Sequence, residues 1–526
     1  NSNQISVVTT AAVAGLTTAQ ASVLSSTQVG GLTTANVALL SSAQFGAINT
    51  SAVAGLTTSQ IATVTTATVA GLTTSQARVL NSAQVSVVTT SDVALLTSSQ
   101  VAAISTTAID GLTTDQAGVL TSSQISALTT AQAYQFDTDL IAALTTAAVV
   151  GFTTAGVRVF DTNQVGAITT TQVGVLTTSQ VAAIATSSVS GLLTTQVAVL
   201  SSTQVAAVTT AQVAQLSSTQ LVSVTTTALA GLTTAGVRVL NTTQVGGITT
   251  TQIGALSTSQ VAAIATSSIS GLLTTQVAVL SSAQVAALTT SEVGALSSNQ
   301  IAAVTSTSLV GFTTAQFVVL NSTQISGLTT SNVALLTSSQ FGAINTSAIA
   351  GLTTSQIVSV TTSTIAGLTT SQARVLNSTQ VSVVTTTDVA VLTSSQIAAI
   401  ATSSISGLLT TQVAVLSSTQ AVALTTAQVR VLDSNQVAAI TTTDAAALTT
   451  SQVAAVSTTA IDGLTTTQAG VLTSAQLAAL TTAQAYEFDT DVLAAVTTAA
   501  VVGFTTAAVR VFDTNQVGAL TTAQAK

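Results

Sequence analysis

The sequence predicts an all-α superhelical solenoid in which each eight-residue repeat forms one short capped helix. The octad Leu-Thr-Thr-x-Gln-Val-x-x recurs from end to end of the 526 residues without an insertion. Its polar residues fall where a helix begins, and its two apolar positions suit packing beside that start. The unit is seen cleanly from Leu176 to Ala183 and is closed by Ile184.

We number octad positions by the residue number modulo eight. Position 1 is almost always Thr, Ser, Asn or Asp, the residues that cap helix N-termini, and position 4 is usually Gln or an acid. This spacing is that of a capping box. Position 0 carries a large apolar residue and position 5 a smaller one, as in a hydrophobic staple. Positions 2 to 7 are therefore predicted to form a helix of about six residues, with positions 3 and 6 facing solvent.

A β-solenoid is the alternative fold, because Thr and Val are good strand formers. Positions 0 and 5 have opposite parity, so a flat strand would not point both inward without a bulge. Helices this short are not stable alone, and neighbouring octads must therefore stack to stabilise each other. The sequence favours the helical solenoid.

Composition excludes several classes of function. The chain has no His or Cys and therefore no strong ligand for zinc, copper or haem. Seven basic residues and a net charge of −8 argue against nucleic acid binding, and no apolar run is long enough to span a membrane. Ser and Thr are abundant, but no His is present to activate them, so an enzyme is not expected. No cofactor is predicted.

We expect residues 1–526 to form a single uninterrupted array of about sixty-five octads. The chain contains no Met, and Asn1 is already in register with the repeat. We therefore expect it to be an internal segment of a longer protein. Longer blocks are also copied, since residues 45–88 recur with few changes at residues 341–384.

A second period of forty residues lies above the octad. Octads without Gln at position 4 nearly all carry Gly at position 7, and these recur every fifth octad. We interpret this as a return of the chain to one side of the superhelix after five octads, in one turn or in two. Duplication of a 40-residue segment explains the pattern equally well. If the return is real, these glycines form a stripe for close contact with a neighbouring coil or chain: Gly71, Gly111, Gly151, Gly191, Gly231, Gly271, Gly311 and Gly351.

Two minor hypotheses concern ligands. Asp137 and Asp139, and likewise Asp489 and Asp491, are paired carboxylates, but calcium needs six to eight oxygen ligands. Their simpler interpretation is an acid cap and an acid in the first helical turn. The abundant Thr suggests ice or glycan binding, although Thr-Thr pairs differ from the usual Thr-x-Thr array. The hydroxyl-rich, charge-poor surface also suits O-linked glycans.

The strings Val208–Leu216 and Leu448–Val456 resemble repeats of very long bacterial exoproteins described as adhesin-like or surface-layer-like. The resemblance covers the whole chain and implies an extracellular or cell-surface location with a structural role. It supplies no catalytic residues.

The favoured function is a structural extracellular protein that forms a surface filament or fibre by self-association with other copies. A passive stalk of a giant adhesin, whose binding domain lies elsewhere, is the first alternative. An ice- or glycan-binding array is the second.

Overall fold

Each octad folds as one short helix, because its residues at positions 1 to 4 satisfy the start of a helix locally. The computed structural model describes residues 2–526, with side chains from Gln4 onward. Every α-helix begins at position 2 and has four to six residues, and the residue at position 1 adopts the extended backbone of an N-cap. The all-α prediction is confirmed, and the described residues contain no strand.

The chain divides into two compact units, residues 1–271 and 272–526. The first unit contains helices α1 to α33 and a single 3-10 turn, Val189–Gly191, between α23 and α24. The helices α1 to α33 are, in chain order, Ser2–Ile5, Thr10–Ala14, Thr18–Ser22, Ser26–Gly30, Thr34–Ala38, Ser42–Ala47, Thr50–Ala54, Thr58–Ile61, Thr66–Val69, Thr74–Val79, Ser82–Ser86, Thr90–Leu95, Ser98–Ala103, Thr106–Ile109, Thr114–Ala117, Ser122–Ser126, Thr130–Tyr134, Thr138–Ala143, Thr146–Val149, Thr154–Arg158, Thr162–Ala167, Thr170–Val175, Thr178–Ala183, Thr194–Val197, Ser202–Ala207, Thr210–Gln215, Ser218–Ser223, Thr226–Leu229, Thr234–Arg238, Thr242–Gly247, Thr250–Ala255, Thr258–Val261 and Thr266–Ile269.

The second unit continues the same octad register. Its helices, α34 to α64, are Thr274–Val277, Ser282–Ala287, Thr290–Ala295, Ser298–Ala302, Ser306–Leu309, Thr314–Val319, Ser322–Gly327, Thr330–Ala334, Ser338–Ala343, Thr346–Ile349, Thr354–Ser359, Thr362–Ile365, Thr370–Val375, Ser378–Ser382, Thr386–Val391, Ser394–Ala399, Thr402–Ile405, Thr410–Val413, Ser418–Ala423, Thr426–Val429, Ser434–Ala438, Thr442–Ala447, Thr450–Ala455, Thr458–Ile461, Thr466–Ala469, Ser474–Ala478, Thr482–Tyr486, Thr490–Ala495, Thr498–Val501, Thr506–Val509 and Thr514–Ala519.

Two extended residues connect consecutive helices. Leu176, at position 0, has φ −56° and ψ 137°, and Thr177, at position 1, has φ −68° and ψ 155°. Among the described residues none, glycine included, has a positive φ. The chain therefore turns at each corner with ordinary extended backbone, as expected from position 0 leading directly into the next cap, and it needs no glycine for the turn itself.

The two apolar positions form the core within each unit. Position 0 residues such as Leu176 and Ile184 are 6% and 4% exposed, and position 5 residues such as Val181 are equally buried. Their burial follows the predicted staple and stabilises each octad by about 3–5 kcal/mol before the entropy of ordering is counted. Sequence analysis did not foresee that position 4 would be as buried as the apolar core: Gln180 is 2% exposed.

Successive turns of the superhelix stack through helices three octads apart. The helix Thr58–Ile61 packs on Thr34–Ala38 on one side and on Ser82–Ser86 on the other, and this relation repeats through each unit. Side-chain hydrogen bonds join residues 28 to 31 apart in neighbouring turns. One turn therefore contains between three and four octads. The expected return after five octads is wrong, because forty residues amount to between one and two turns.

The glycines at position 7 allow neighbouring turns of the same chain to approach closely. A Cβ at Gly231 would overlap the carbonyl oxygen of Ser202, which lies 29 residues earlier. Some contacts also use a second glycine, since a Cβ at Gly46 would lie 2.6 Å from the carbonyl oxygen of Gly71. Because these glycines have negative φ, their role is steric and not conformational.

We expect Gly231→Ala to destabilise the protein by about 1–3 kcal/mol, since the new methyl group must push the turns apart. Gly254→Ala is the matched control: it lies in the helix Thr250–Ala255, nothing lies within 4 Å of the added Cβ, and a gain of about 1 kcal/mol is expected. Thermal unfolding followed by far-UV circular dichroism measures both. Equal effects of the two substitutions would show that the close approach at Gly231 is not required.

Candidate functional site: the glutamine bridge between turns

The position 4 glutamine completes the start of its own helix. In the octad of Gln180, Oε1 accepts a hydrogen bond from the Thr177 backbone N–H at 2.9 Å, and the Gln180 N–H donates to Thr177 Oγ1 at 3.2 Å. The same capping box occurs along both units. Two backbone N–H groups that a helix start leaves without partners are thereby satisfied. The capping box predicted from the octad is confirmed.

The amide nitrogen of the same glutamine bonds to the preceding turn. Gln60 Nε2 donates to the carbonyl oxygens of Leu32 at 2.6 Å, Val29 at 3.0 Å and Gly30 at 3.2 Å. These carbonyls, at positions 0, 5 and 6, lie at the C-terminal end of a helix, where no intrahelical donor is available. We call this double engagement of one side chain, Oε1 within its octad and Nε2 across to the turn before, the glutamine bridge.

The bridge is buried, which raises its structural importance. Gln76, Gln172 and Gln196 are each 1% exposed. A typical hydrogen bond contributes only about 1 kcal/mol net, but a buried polar group left without a partner costs about 1–3 kcal/mol. The bridge satisfies donors and acceptors on two neighbouring turns at once. It therefore fixes which turn stacks on which, in addition to stabilising the stack.

Several octads with threonine, serine or asparagine at position 4 use a shorter donor for the same carbonyl. Thr68 Oγ1 donates to Leu40 O at 2.6 Å, and Ser188 Oγ donates to Phe160 O at 2.7 Å. Each acceptor again lies 28 residues earlier. Asn332 Nδ2 likewise donates to Val304 O at 2.8 Å. Three kinds of side chain thus supply a hydrogen to one repeated acceptor.

Two octads with alanine at position 4 move the bridge to the cap residue. Asn49 Oδ1 accepts from the Ala52 N–H at 2.9 Å, while Asn49 Nδ2 donates to Leu24 O at 2.7 Å. Asn345 makes the same bonds, with Leu320 O accepting at 2.7 Å. Asparagine at position 1 therefore keeps its own capping bond and also makes the bond to the preceding turn that the missing glutamine would make.

Four acids also occupy the bridge position and are almost fully buried: Asp92, Glu292, Asp388 and Asp444. Burial raises the pKa of the Glu292 carboxyl above its ordinary value, and hydrogen bonds from Thr289 oppose this shift. Glu292 Oε2 accepts from the Thr289 N–H at 2.8 Å and so keeps the capping box. A carboxylate has no hydrogen to donate to a carbonyl in the preceding turn, so these acids, when ionised, do not complete the bridge.

The eight glycines predicted as a lateral stripe all lie against backbone of their own chain. Each is partly exposed, and a Cβ at each would come too close to the residue 29 positions earlier, which is Ser or Thr. Contact of these glycines with another chain stays a prediction. The eight are Gly71, Gly111, Gly151, Gly191, Gly231, Gly271, Gly311 and Gly351.

The paired aspartates take part in helix starts. Asp137 is an N-cap whose Oδ1 accepts from the Leu140 N–H at 2.8 Å, and Asp139 lies in the first turn of that helix. Within residues that the structure describes, no group of three or more acidic, His or Cys residues is placed to hold a metal ion. None of the described helices has the length and apolar character needed to cross a bilayer.

Sequence analysis missed the second half of the bridge. It recognised Gln180 as a capping residue but assigned no partner to its amide nitrogen. The available signal was that the octad keeps an amide, where an acid would complete a capping box equally well. A second unused signal is the spacing of 25 residues between glycines at positions 6 and 7, as in Gly246 and Gly271.

These features define a tandem-repeat protein built as a helical solenoid, in which side chains bridge each turn to the one before. The ALTTAQ repeat model matches the chain at eight stretches that together cover just under half of it: residues 93–130, 141–178, 149–186, 225–258, 234–266, 293–330, 446–482 and 487–524. The chain therefore carries ALTTAQ repeats. A comparison with curated proteins finds no match.

We expect Gln212→Met to destabilise the structure by about 2–3 kcal/mol, because it removes the capping box and leaves the carbonyl oxygen of Ile184 without its side-chain donor. Hydrogen exchange of the Thr209 amide, which donates to Gln212 Oε1, should accelerate. Gln215→Met is the control, since Gln215 is exposed in the same helix. Similar losses in the two variants would contradict the bridge.

The raised pKa of Glu292 gives a pH-dependent prediction. Because the folded form binds this proton more tightly than the unfolded form, the associated stability is present below about pH 4.5 and is lost as pH rises through the folded pKa. Glu292→Gln should therefore melt higher than the unchanged chain at pH 7, with the difference shrinking on acidification. Melting temperatures between pH 4 and 8 measure this effect. A difference that does not vary with pH would count against it.

Proposed function

We propose that the protein is a non-catalytic structural spacer of the cell surface, the stalk of a larger surface protein. The single observation that supports a spacer is the glutamine bridge, because it repeats through each unit and joins each turn to the turn before it. A solenoid bonded in this way grows by simple addition of octads. Its length is then the property that repeat number controls.

The surface location rests on the resemblance to very long bacterial exoproteins and on the composition. Only 4% of residues are charged, and hydroxyl side chains cover positions 1 to 3 of most octads. Position 1 hydroxyls accept cap hydrogen bonds, whereas those at positions 2 and 3, such as Thr178 and Ser179, are exposed. O-linked glycans, if present, are therefore expected at positions 2 and 3.

The spacer function predicts that particle length follows the number of octads. Residues 185–264 are a suitable block for duplication, since residues 265–282 repeat the start of the block nearly unchanged. With neighbouring helices about 8–10 Å apart, three extra copies should lengthen single particles by about 80 Å in electron micrographs.

Copies in which Met replaces the position 4 glutamines have the same number of residues but lack the bridge, and they serve as the control. We expect these copies to give irregular particles without the added length. The spacer function would be contradicted if particles with three extra native copies were no longer than the original ones. It would also be contradicted if particles lengthened only when several chains associate.

Self-association into a filament is the second candidate, and a specific surface feature favours it. Three octads carry leucine in place of the capping residue at position 1, and Leu193, Leu273 and Leu409 are 54%, 54% and 51% exposed. An exposed leucine in place of a cap costs the helix about 1 kcal/mol and adds apolar surface. With little charge to repel neighbouring chains, such positions suit contacts between copies.

Replacing Leu193, Leu273 and Leu409 together by Thr separates the two candidates. We expect the triple variant to gain stability from restored caps, by about 1 kcal/mol each, and to lose any self-association seen by sedimentation. The leucines that directly precede them, at position 0, stay unchanged in this variant: Leu192, Leu272 and Leu408. Association that persists in the triple variant would exclude these leucines as the contact.

A further inference from the structure

Two buried carboxyl groups each have an oxygen without a partner at a position where glutamine and asparagine donate a hydrogen to the preceding turn. Asp92 and Asp388 are 2% and 3% exposed, and Oδ1 of each is buried with no hydrogen-bond partner. Oδ2 is satisfied, since it accepts from Thr89 Oγ1 at 2.7 Å and from Thr385 Oγ1 at 2.6 Å. The two acids are copies of one another, 296 residues apart in the duplicated block.

Asparagine in the same position shows what the free oxygen faces. Asn332 Nδ2 donates to Val304 O at 2.8 Å, and Asn36 Nδ2 donates to Val8 O at 3.0 Å, in each case 28 residues earlier. Aspartate has the same size and shape as asparagine, so Oδ1 occupies the place of this donor. The residues 28 positions before Asp92 and Asp388 are Val64 and Val360. An ionised carboxylate would set two acceptor oxygens against each other at that point.

No neighbouring charge compensates either acid. The helices packed on the helix of Asp388 are Thr362–Ile365 and Thr410–Val413, and they contain no titratable residue. Those packed on the helix of Asp92 are Thr66–Val69 and Thr114–Ala117, whose one titratable residue is Asp115, itself an exposed acid. A buried negative charge without a cation or a donor is unfavourable, whereas the neutral acid is both uncharged and a donor.

Asp444 shows how the same position accommodates an ionised acid. It is 2% exposed, as Asp92 is, but its Oδ1 accepts a hydrogen bond from Ser418 Oγ at 2.7 Å. Ser418 lies 26 residues earlier, and the corresponding residues for Asp92 and Asp388 are Thr66 and Thr362. The unpartnered oxygen thus belongs to two of the three buried aspartates, and the third provides a control within the chain.

We propose that Asp92 and Asp388 are proton-binding sites, each taking a proton from solvent onto Oδ1 and donating it to the carbonyl oxygen of Val64 or Val360. The neutral acid then restores the bond between turns that glutamine makes elsewhere. Loss of the proton opens the bridge at these two points. Resting on the proposed structural function, this inference makes the cohesion of the solenoid depend on acidity, with one responsive point in each unit.

The direction of the effect follows from linkage. A proton held between Oδ1 and the carbonyl oxygen makes a hydrogen bond that only the folded chain can form, so protonation stabilises the fold. The stabilisation is therefore complete in acid and is lost as pH rises. Asparagine at both positions keeps a permanent donor and should remove this dependence.

The test is done in a Glu292→Gln background, which removes the buried acid whose pKa is raised, and compares this background chain with the double variant Asp92→Asn/Asp388→Asn and with Asp444→Asn. Infrared spectra of the background chain should keep a protonated carboxylic acid band at a pH where exposed acids have ionised. That band should disappear in the double variant and persist in Asp444→Asn. In acid, the double variant and the background chain should have the same melting temperature. As pH rises, the melting temperature of the double variant should increasingly exceed that of the background chain.

Two outcomes would overturn the proposal. One is the absence of the acid band together with a stability difference that does not change with pH. The other is stabilisation of the background chain by Na⁺ or K⁺ at constant ionic strength in place of stabilisation by acid, which would make the position a cation site. Proton binding is measured by infrared spectra and thermal unfolding of the folded chain, whereas the spacer function is tested by particle length. A negative result in one experiment is therefore distinguishable from a negative result in the other.

Discussion

The structure depends on one side chain that belongs to two turns at once. Helices of four to six residues do not persist alone, since nucleation costs more than so few hydrogen bonds return. The position 4 glutamine removes part of this cost by satisfying the N-terminal amide of its own helix and C-terminal carbonyls of the helix one turn earlier. Local helix formation and stacking of turns are therefore coupled through a single residue type.

In octads with threonine or serine at position 4, this constraint also explains the accompanying glycine, whereas octads with alanine there, such as Ala228 with Gly231, have the glycine without a donor. A threonine or serine hydroxyl reaches less far than a glutamine amide, so its bond requires closer turns. Thr68 bonds to Leu40 O, and in the same octad Gly71 lies against the backbone of Ser42. In the same way, Ser188 bonds to Phe160 O, and Gly191 lies against the backbone of Thr162. The two substitutions are one structural event, in which a shorter donor draws the turns together and glycine leaves room for them.

Apolar residues of several sizes fill the core. Phenylalanines form edge-to-face clusters in each unit, with ring centroids 5.0 Å apart for Phe152 and Phe160 and 5.3 Å apart for Phe504 and Phe512. A stretch of the first unit without phenylalanine, lined by residues such as Val181 and Leu216, leaves an apolar cavity of about 40 Å³.

The octad by itself determined the secondary structure, because caps, capping boxes and staples are interactions within nine consecutive residues. Thr177, Gln180 and Val181 indicated where a helix starts and which side chains turn inward, and the structure agrees. The number of octads in a turn was decided only by tertiary structure, since it depends on how helices three octads apart pack. The forty-residue period suggested five octads, but it records where short donors and glycines occur. The partner of each glutamine amide lies 28 to 31 residues away, a distance that no local rule encodes.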